Sequence, residues 1–324
     1  MTIEVEASAR LHLGFLDLAG DLGRRFGSLG VTLDDIATRV RVERAAADRI
    51  DAPAADRVAQ IVARLRLVWP VPPVRIEIRE AIPAHVGLGS GTQLGLALGC
   101  GVARLLGRDD TPETVGALLE RGARSGIGIG AFAQGGVLLD GGRGDEDGPP
   151  PIVARLPWPE QWRLLLLFDP AGAGLHGAAE RAAFVRLPAM ATERAGELCR
   201  LTLMGFLPAV ALGDEAAAGR ALGALQRILG DHFAPAQGGR FTSRAVSERL
   251  AWLEAAGVAG VGQSSWGPTG FALVGSEDAA RELRAGLESH FADNYVSVTI
   301  AKGRNHGARV VRLEPVPAQR RRKA

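Results

Sequence analysis

A glycine-rich segment near residue 90 has the composition of an anion-binding loop. It follows a strand-like pattern and precedes an apolar pattern with helical spacing that begins near Ser90 or Thr92. Glycines let several backbone N–H groups converge on one anion, and the N-terminus of the next helix adds unpaired donors. The segment therefore predicts a phosphate-binding loop. Its candidate substrate-binding residues are Gly87, Gly89, Ser90, Gly91, Thr92 and Gln93, of which Ser90 and Thr92 are also candidate metal ligands.

Two features limit how an anion is held there. The loop lacks the Gly-Lys-Ser/Thr of a Walker motif, so a strand-to-helix turn without a ligand stays an alternative. The lysines of the chain are Lys302 and Lys323, and every other basic residue except histidine is arginine. An anion in the first half of the chain must therefore bind to arginine, histidine or backbone N–H groups.

The elements that would position this loop are indicated by apolar spacing. Strand patterns cover 3–7, 36–43 and 74–78, and helical patterns cover 54–69, 90–106 and a segment that begins at Thr111. The second half has a strand at 163–168, helical patterns from about 176 to 256, and then strand, strand, helix and strand. This order indicates an α+β protein with a ferredoxin-like second half.

A polar, glycine- and proline-rich stretch at 141–151 separates the two halves, as expected for a border between domains. We therefore predict an N-terminal domain at 1–155 and a C-terminal domain at 156–324. A length of 324 residues suits two domains.

Composition excludes several classes of protein. The formal net charge is +2 and 47% of the residues are hydrophobic, which indicates a globular chain with no general attraction to nucleic acid or membrane. Cys100 and Cys199 belong to no Cys/His cluster, so neither a disulfide framework nor a zinc site is expected. The first residues lack a signal-peptide pattern, and no apolar run approaches the length of a membrane span. A cytoplasmic protein is the expectation.

Two segments resemble a known family. PAHVGLGSGTQ, residues 83–93, looks like the second motif of the GHMP kinase superfamily, and GQSSWGPTGFALV, residues 262–274, is similar to its glycine-rich third motif. The motifs occur in the family's order. The resemblance implies a two-domain α+β fold, with an S5-like N-terminal domain and a ferredoxin-like C-terminal domain.

The pattern departs from that of the kinases at one position. Kinases of this superfamily carry an aspartate shortly before a Gly-Gly pair, which here is Gly135-Gly136. The matching positions hold Ile127 and Gly128, which neither accept a proton nor bind a metal. Phosphoryl transfer depends on positioned charge and metal ions, so this departure argues against a kinase.

A branch of the superfamily that is not a kinase, the β-ribofuranosylaminobenzene 5'-phosphate synthases of methanopterin biosynthesis, fits better. The segments 9–18, 23–30, 125–136 and 303–307 resemble that branch. The resemblance implies that phosphoribosyl pyrophosphate and a para-substituted benzoate are joined into a C-riboside, with release of CO2 and pyrophosphate. Mg²⁺ is the implied cofactor, and a homodimer is the implied assembly.

That chemistry assigns roles to polar residues near both motifs. Arginine suits the 5'-phosphate and the carboxylate, because its guanidinium makes bidentate contacts with both anions. Two serines and a tryptophan of the third motif suit an anion and an aromatic ring. The predicted catalytic residues are His12, Arg10 and Asp17. The further substrate-binding residues are Arg24, Arg25, Ser264, Ser265 and Trp266, and weaker candidates are Asp21, Asp140 and Arg304.

Alternatives stay open at this point. A small-molecule kinase that draws its acid from elsewhere predicts ADP formation, and a non-catalytic binder on the same fold predicts binding without turnover. Surface charge is the alternative for Arg24 and Arg25, a buried core histidine for His12, and a domain-interface core residue for Trp266. The residues do not distinguish 4-aminobenzoate from 4-hydroxybenzoate as the acceptor.

Overall fold

Two β-sheets with helices packed against them organise the chain. A computed structural model describes residues 1–172, 174, 177–291 and 295–314. The strands are β1 Thr2–Asp17, β2 Phe26–Arg44, β3 Arg49–Asp51, β4 Val74–Glu80, β5 Val137–Asp140, β6 Ile152–Leu156, β7 Arg163–Phe168, β8 Val261–Gln263, β9 Gly270–Val274, β10 Ser297–Ala301 and β11 Arg309–Leu313. The helices are α1 Ala55–Arg66, α2 Ser90–Leu105, α3 Pro112–Leu118, α4 Ile127–Ala133, α5 Gly177–Arg186, α6 Thr192–Arg200, α7 Leu207–Leu212, α8 Glu215–Gln237, α9 Arg244–Ala255 and α10 Glu277–His290, with a π-helical turn at Leu201–Phe206.

The first sheet has seven strands and is built around the long antiparallel pair of β1 and β2. Its main order is β11-β1-β2-β4-β3, and β5 pairs with β2 and with β6. Alternate residues of β1, such as Ile3, Val5 and Ala7, are buried against α1 and α2. The pair is much longer than the predicted strands, and it carries Arg10 and His12 on β1 itself.

The division of the chain differs at its C-terminal end from the border drawn from sequence. Residues 309–313 form β11, which pairs antiparallel with β1, and β6 reaches Leu156 in the same sheet. The sequence-based domain 156–324 included all of β11 and the last residue of β6. A strand pattern alone does not say which sheet the strand joins, because that depends on pairing with a residue far away in the chain.

The second sheet has four antiparallel strands in the order β10-β7-β9-β8. The leucines of its central strand β7 face two different cores. Leu164 and Leu166 pack in the core that contains β1 and α8, whereas Leu165 and Leu167 pack against α9 and α10. Burial on both faces explains why this strand is a continuous apolar run and not an alternating one.

Several predicted elements end elsewhere than expected. The glycine-rich stretch 126–136 contains the helix α4, and the single helix expected at 190–212 is interrupted by the π-helical turn. The helix expected at 54–69 ends at Arg66, before the proline-rich segment. Residue 176, at the start of a predicted helix, lies outside the described residues.

Thr192–Leu212 is the one segment of the described ranges with the length and mean hydropathy (1.4) of a membrane span. The sequence-based expectation that no run approaches a span did not identify it. It is 33% buried, and its inner side packs against α8 and β1. A single segment that meets this test by length and composition alone is weak evidence for a membrane protein.

Candidate active site

The glycine loop ends in a helix N-terminus that no side chain caps. Gly87 and Gly89 adopt left-handed backbone conformations, with φ of 88° and 81°, which residues with a Cβ rarely adopt. Gly89 is the N-cap of α2, and its carbonyl accepts from the amides of Thr92 and Gln93. The first amides of α2 therefore remain available to an anion.

Ser264 fastens this loop to the rest of the molecule. Its hydroxyl donates to the carbonyl of Gly87 at 2.8 Å and accepts from the amide of His12 at 3.0 Å. Thr269 donates to the carbonyl of Val86 at 2.6 Å. A Cβ on Gly87 would lie 2.5 Å from the carbonyl oxygen of Ser264, so the glycine is also required for this close approach. The third motif thus holds the loop in place.

We expect Ser264→Ala to lower the free energy of unfolding by about 1–3 kcal/mol, because two hydrogen bonds of a fully buried hydroxyl are lost. Urea unfolding measures this change. Ser297→Ala, on an exposed strand position, is the matched control and should change stability little. Equal losses in the two variants would show that Ser264 has no special role in holding the loop.

A cavity of about 500 Å³ opens beside the loop, between the two halves of the chain. Four of its side chains are guanidinium groups and one is a carboxylate. The carboxylate belongs to Glu120, whose Oε1 lies 2.6 Å from Nη2 of Arg64, so an ion pair already engages it. The lining residues are Arg10, His12, Phe15, Arg57, His85, Gly87, Gly89, Ser90, Gly91, Thr92, Glu120, Arg121, Gly122, Ala123, Arg124, Ser125, Ser265, Trp266 and Gly267.

The arginines of the cavity reach it from different elements. Arg10 lies on β1 and donates through Nη1 to the carbonyl of Gly87 at 2.7 Å. Arg124 lies over the ring of Phe184, 4.9 Å from its centroid. Burial lowers the pKa of Arg121, and the nearby charges of Arg57 and Arg64 lower it further. The cavity is therefore electropositive and suits a substrate with several negative charges.

His12 is almost completely buried, with 3% of its surface exposed, and it lines the cavity. Neither ring nitrogen has a hydrogen-bond partner among the described residues. Burial lowers its pKa to about 3, and the positive charges of Arg10 and Arg124 act in the same direction. His12 is therefore neutral near pH 7, and its ring nitrogens are available as one donor and one acceptor.

Aromatic rings also line the cavity. Phe15 packs against His12 with a centroid distance of 4.6 Å. Trp266 is 4% exposed and contacts Phe184 and Phe233 at 5.2 and 4.7 Å. Trp266 thus packs against two other rings and also lines the cavity. The wall formed by Phe15 and Trp266 suits a planar aromatic ring.

The two positions that match the kinase aspartate, Ile127 and Gly128, are packed against neighbouring residues. Ile127 is fully buried against Gly30, and the carbonyl of Gly128 accepts from Nε2 of Gln93 at 2.7 Å. A Cβ on Gly128 would lie 2.9 Å from Cγ2 of Thr92. A side chain at Gly128 therefore fits only if Thr92 shifts.

The structure gathers many of the predicted site residues around the cavity. The predicted residues that line it are Arg10, His12, Gly87, Gly89, Ser90, Gly91, Thr92, Ser265 and Trp266. Ser264 and Gln93 lie behind the loop, where both are buried and hold backbone carbonyls. Their predicted contact with substrate stays a prediction, and in the structure their side chains donate to the carbonyls of Gly87 and Gly128.

Three further predicted residues also lie outside the cavity lining. Asp17 accepts from the amides of Ala19 and Gly20 at 2.9 and 2.8 Å, in the turn after β1. Arg24 donates to the carbonyls of Gly141 and Gly142 and forms an ion pair with Glu146, so it fastens two loops together. Arg25 is exposed, and its guanidinium lies 5.8 Å from the ring centroid of Phe26.

The weaker candidates also have structural partners. Asp140 is buried, and its carboxylate accepts hydrogen bonds from the amides of Ser28, Gly126 and Gly142. Arg304 pairs with Glu6 at 2.7 Å. The carboxylate of Asp21 accepts from Thr192 at 2.8 Å. These side chains stabilise the fold around the site.

Sequence reasoning missed Arg57, Arg121, Arg124 and His85. Arg57 belongs to a polar helix face, and Arg121 and Arg124 belong to a charged segment after α3. The only local signal was the excess of arginine in a chain with almost no lysine. Their convergence depends on how α1 and the segment after α3 pack against α2.

The donor groups of the cavity do not fit a metal held by the protein alone. Mg²⁺ is usually bound by one or two carboxylates together with substrate phosphates. In the cavity the carboxylate of Glu120 is engaged by Arg64, and the other oxygen donors are hydroxyls such as those of Ser90 and Thr92. Within the described residues, no group of three or more His, Cys, Asp or Glu side chains is placed to hold a metal ion.

Comparison with known proteins agrees with this arrangement. Residues 54–136 match the GHMP kinases N terminal domain, and residues 206–293 match the GHMP kinases C terminal family. A relative from Archaeoglobus fulgidus, named beta-ribofuranosylphenol 5'-phosphate synthase, is 29% identical over 95% of this chain and 99% of its own. A relative of the same name from Methanothermobacter thermautotrophicus is 26% identical over 96% of this chain and 100% of its own.

Solved structures share the fold at lower sequence identity. A homoserine kinase from Cytophaga hutchinsonii aligns with a TM-score of 0.68 and 18% identity over 96% of this chain and 97% of its own. The phosphomevalonate kinase of Streptococcus pneumoniae aligns with a TM-score of 0.69 and 13% identity over 94% of this chain and 100% of its own. The two family matches together span more than half of the chain. With its glycine loop, its two-sheet α+β fold and these matches, the chain belongs to the GHMP kinase superfamily.

Proposed function

We propose that this protein is a decarboxylating glycosyltransferase that joins phosphoribosyl pyrophosphate to a para-substituted benzoate and forms a β-ribofuranosyl-arene 5'-phosphate. The observation that carries the proposal is a cavity with four guanidinium groups, an aromatic wall and no unengaged carboxylate. Such a cavity suits two anionic substrates, one of which is aromatic. The near full-length similarity to two synthases named for this class of product supports the same assignment.

The reaction needs no general base. The bond between ribose C1 and the pyrophosphate oxygen breaks, and the electron pair leaves with pyrophosphate. The ring carbon that bears the carboxylate then forms a bond with C1. When the bond to the carboxylate breaks, its electrons restore the aromatic ring and CO2 is released. Because no proton is removed from the ring, the lack of a kinase-type acid at Ile127 and Gly128 is compatible with turnover.

Different residues of the cavity have different roles in this reaction. The first amides of α2 and the guanidinium groups stabilise negative charge that develops on the leaving group. Phe15 and Trp266 pack against the acceptor ring, and the neutral ring of His12 offers a hydrogen bond to a polar substituent on it. Arg10, which donates to the carbonyl of Gly87, lines the same cavity and orients the substrates toward each other.

We propose 4-hydroxybenzoate as the preferred acceptor. Two relatives are named for a ribofuranosylphenol product, and a phenol results when the para substituent is hydroxyl. With 4-aminobenzoate the same steps yield the aminobenzene product of the methanopterin pathway. Competition between the two acids at equal concentration measures the preference directly.

We propose that Mg²⁺ enters the cavity bound to the pyrophosphate group of the donor, as part of the substrate. A chelator such as EDTA should then abolish turnover but leave the melting temperature of the free protein unchanged. A drop in melting temperature on chelation, reversed by Mg²⁺, would instead indicate a metal held by the protein. As for assembly and location, we propose a cytoplasmic homodimer, which light scattering and cell fractionation test.

The decisive assay is incubation of the purified protein with phosphoribosyl pyrophosphate, Mg²⁺ and carboxyl-labelled 4-hydroxybenzoate or 4-aminobenzoate. We expect one CO2 for each pyrophosphate released. Parallel reactions contain ATP with homoserine or mevalonate. ADP formation without CO2 would identify a kinase, and no turnover in any reaction would favour a non-catalytic binder.

A further inference from the structure

Two arginines of the cavity lie in a groove on one face of α2. The guanidinium of Arg57, from α1, contacts the position that a Cβ on Gly91 would occupy. Nε of Arg121, from the segment after α3, lies 3.5 Å from the corresponding position on Gly95. Gly91 and Gly95 are four residues apart and share a helix face, so their missing side chains create the groove. The first of them also belongs to the glycine loop.

The protein offsets the charges of this pair only in part. Among the described residues, neither Arg57 nor Arg121 forms an ion pair, although Glu120 attracts Arg121 from nearby, and Nε of Arg121 is buried without a hydrogen-bond partner. The neighbouring acid, Glu120, is paired with Arg64. Two nearby guanidinium groups that are partly withdrawn from water repel each other, and an anion between them would relieve this repulsion.

The proposed substrates carry three anionic groups: the benzoate carboxylate, the pyrophosphate group and the 5'-phosphate. The position and charge of the arginine pair favour one of them. The benzoate carboxylate has a single charge and is attached to a ring that fits the aromatic wall formed by Phe15 and Trp266. A pyrophosphate group has several charges and many acceptor oxygens, enough for two guanidinium groups and the helix N-terminus together. The 5'-phosphate is smaller and satisfies the two groups less completely.

On the basis of the proposed function, we propose that Arg57 and Arg121, together with the first turn of α2, form the subsite for the pyrophosphate group of the donor. This assignment orients both substrates. The leaving group lies against α2, and the acceptor ring lies against Phe15 and Trp266. Charge that develops on the departing pyrophosphate is then met by two guanidinium groups that are already in place.

Binding of pyrophosphate tests the subsite without requiring turnover. Calorimetry with inorganic pyrophosphate, ribose 5-phosphate and 4-hydroxybenzoate is carried out on the wild type, Arg57→Gln and Arg121→Gln. We expect each substitution to weaken pyrophosphate about 10- to 100-fold, the loss typical of a charged hydrogen bond, and to leave 4-hydroxybenzoate unchanged. Arg244→Gln removes the same charge from an exposed side chain and is the matched control.

Arg57→Lys and Arg121→Lys keep the charge but lose the bidentate geometry, so they should bind pyrophosphate with intermediate affinity. Unchanged pyrophosphate affinity in both glutamine variants would overturn the proposal. A loss of ribose 5-phosphate affinity equal to the loss of pyrophosphate affinity would overturn it as well and would assign the pair to the 5'-phosphate. Melting temperatures confirm that each variant is folded.

Failure of the subsite and failure of the proposed function are distinguishable. If the arginine variants lose pyrophosphate affinity selectively but the wild type releases no CO2, the subsite stands and the synthase reaction is wrong. If CO2 is released and the variants bind pyrophosphate as the wild type does, the reaction stands and the subsite is wrong.

Discussion

Replacement of Gly128 by aspartate, the residue that kinases of this superfamily carry in this segment, is expected to destabilise the protein and to produce no phosphotransfer. A Cβ at this position would lie 2.9 Å from Cγ2 and 3.3 Å from Cβ of Thr92. Overpacking of this kind costs about 1–3 kcal/mol of the free energy of unfolding. The carboxylate would also enter a buried helix, which adds a desolvation cost.

Two further variants separate these effects. Gly128→Ala introduces the same Cβ without the charge, so its loss of stability reports the steric contact alone. Thr92→Ser removes Cγ2 but keeps the hydroxyl, and the double variant Gly128→Ala/Thr92→Ser should recover part of the stability lost by Gly128→Ala. Urea unfolding measures all four proteins. If Gly128→Asp were as stable as the wild type and formed ADP from ATP and an alcohol, the site would be a kinase site that lacks one side chain.

Replacement of His12 by phenylalanine is expected to change the pH dependence of stability. The pKa of His12 is about 3 in the folded protein, against an ordinary value of 6.5. Between these pH values the unfolded chain binds more protons than the folded protein. The contribution of the neutral ring to the free energy of unfolding is therefore complete above pH 6.5 and is lost as the pH falls toward 3. Between pH 7 and pH 5 the wild type should lose about 2 kcal/mol relative to the variant.

Urea unfolding at pH 7 and pH 5 measures this difference. His306→Gln changes an exposed histidine outside the cavity and is the control, which should follow the wild type. The same burial keeps His12 neutral during turnover. The pH–rate profile of the wild type should therefore have no change of slope caused by His12 between pH 5 and pH 8. A change of slope near pH 6.5 in the pH–rate profile that disappears in His12→Phe would contradict the assignment of a neutral ring.

The local pattern of the sequence was sufficient to identify the glycine loop and its family. Gly87 and Gly89 adopt positive φ angles, and this requirement is visible in the sequence because glycine is the residue that meets it at little cost. The start of α2 at Ser90 also follows from local signals. Likewise, Ile127 and Gly128 showed directly that the kinase acid is missing, and the structure adds that Thr92 occupies its space.

The identity of the charged residues in the site was decided by tertiary structure. Arg24 and Arg57 are both arginines in polar surroundings, yet Arg24 pairs with Glu146 and Arg57 reaches the first turn of α2. A long, flexible side chain can reach partners in several directions, so its partner depends on which distant segments pack beside it. The glycine loop is determined by backbone conformation within a few residues, whereas the arginine cluster exists only because α1, α2 and the segment after α3 pack together.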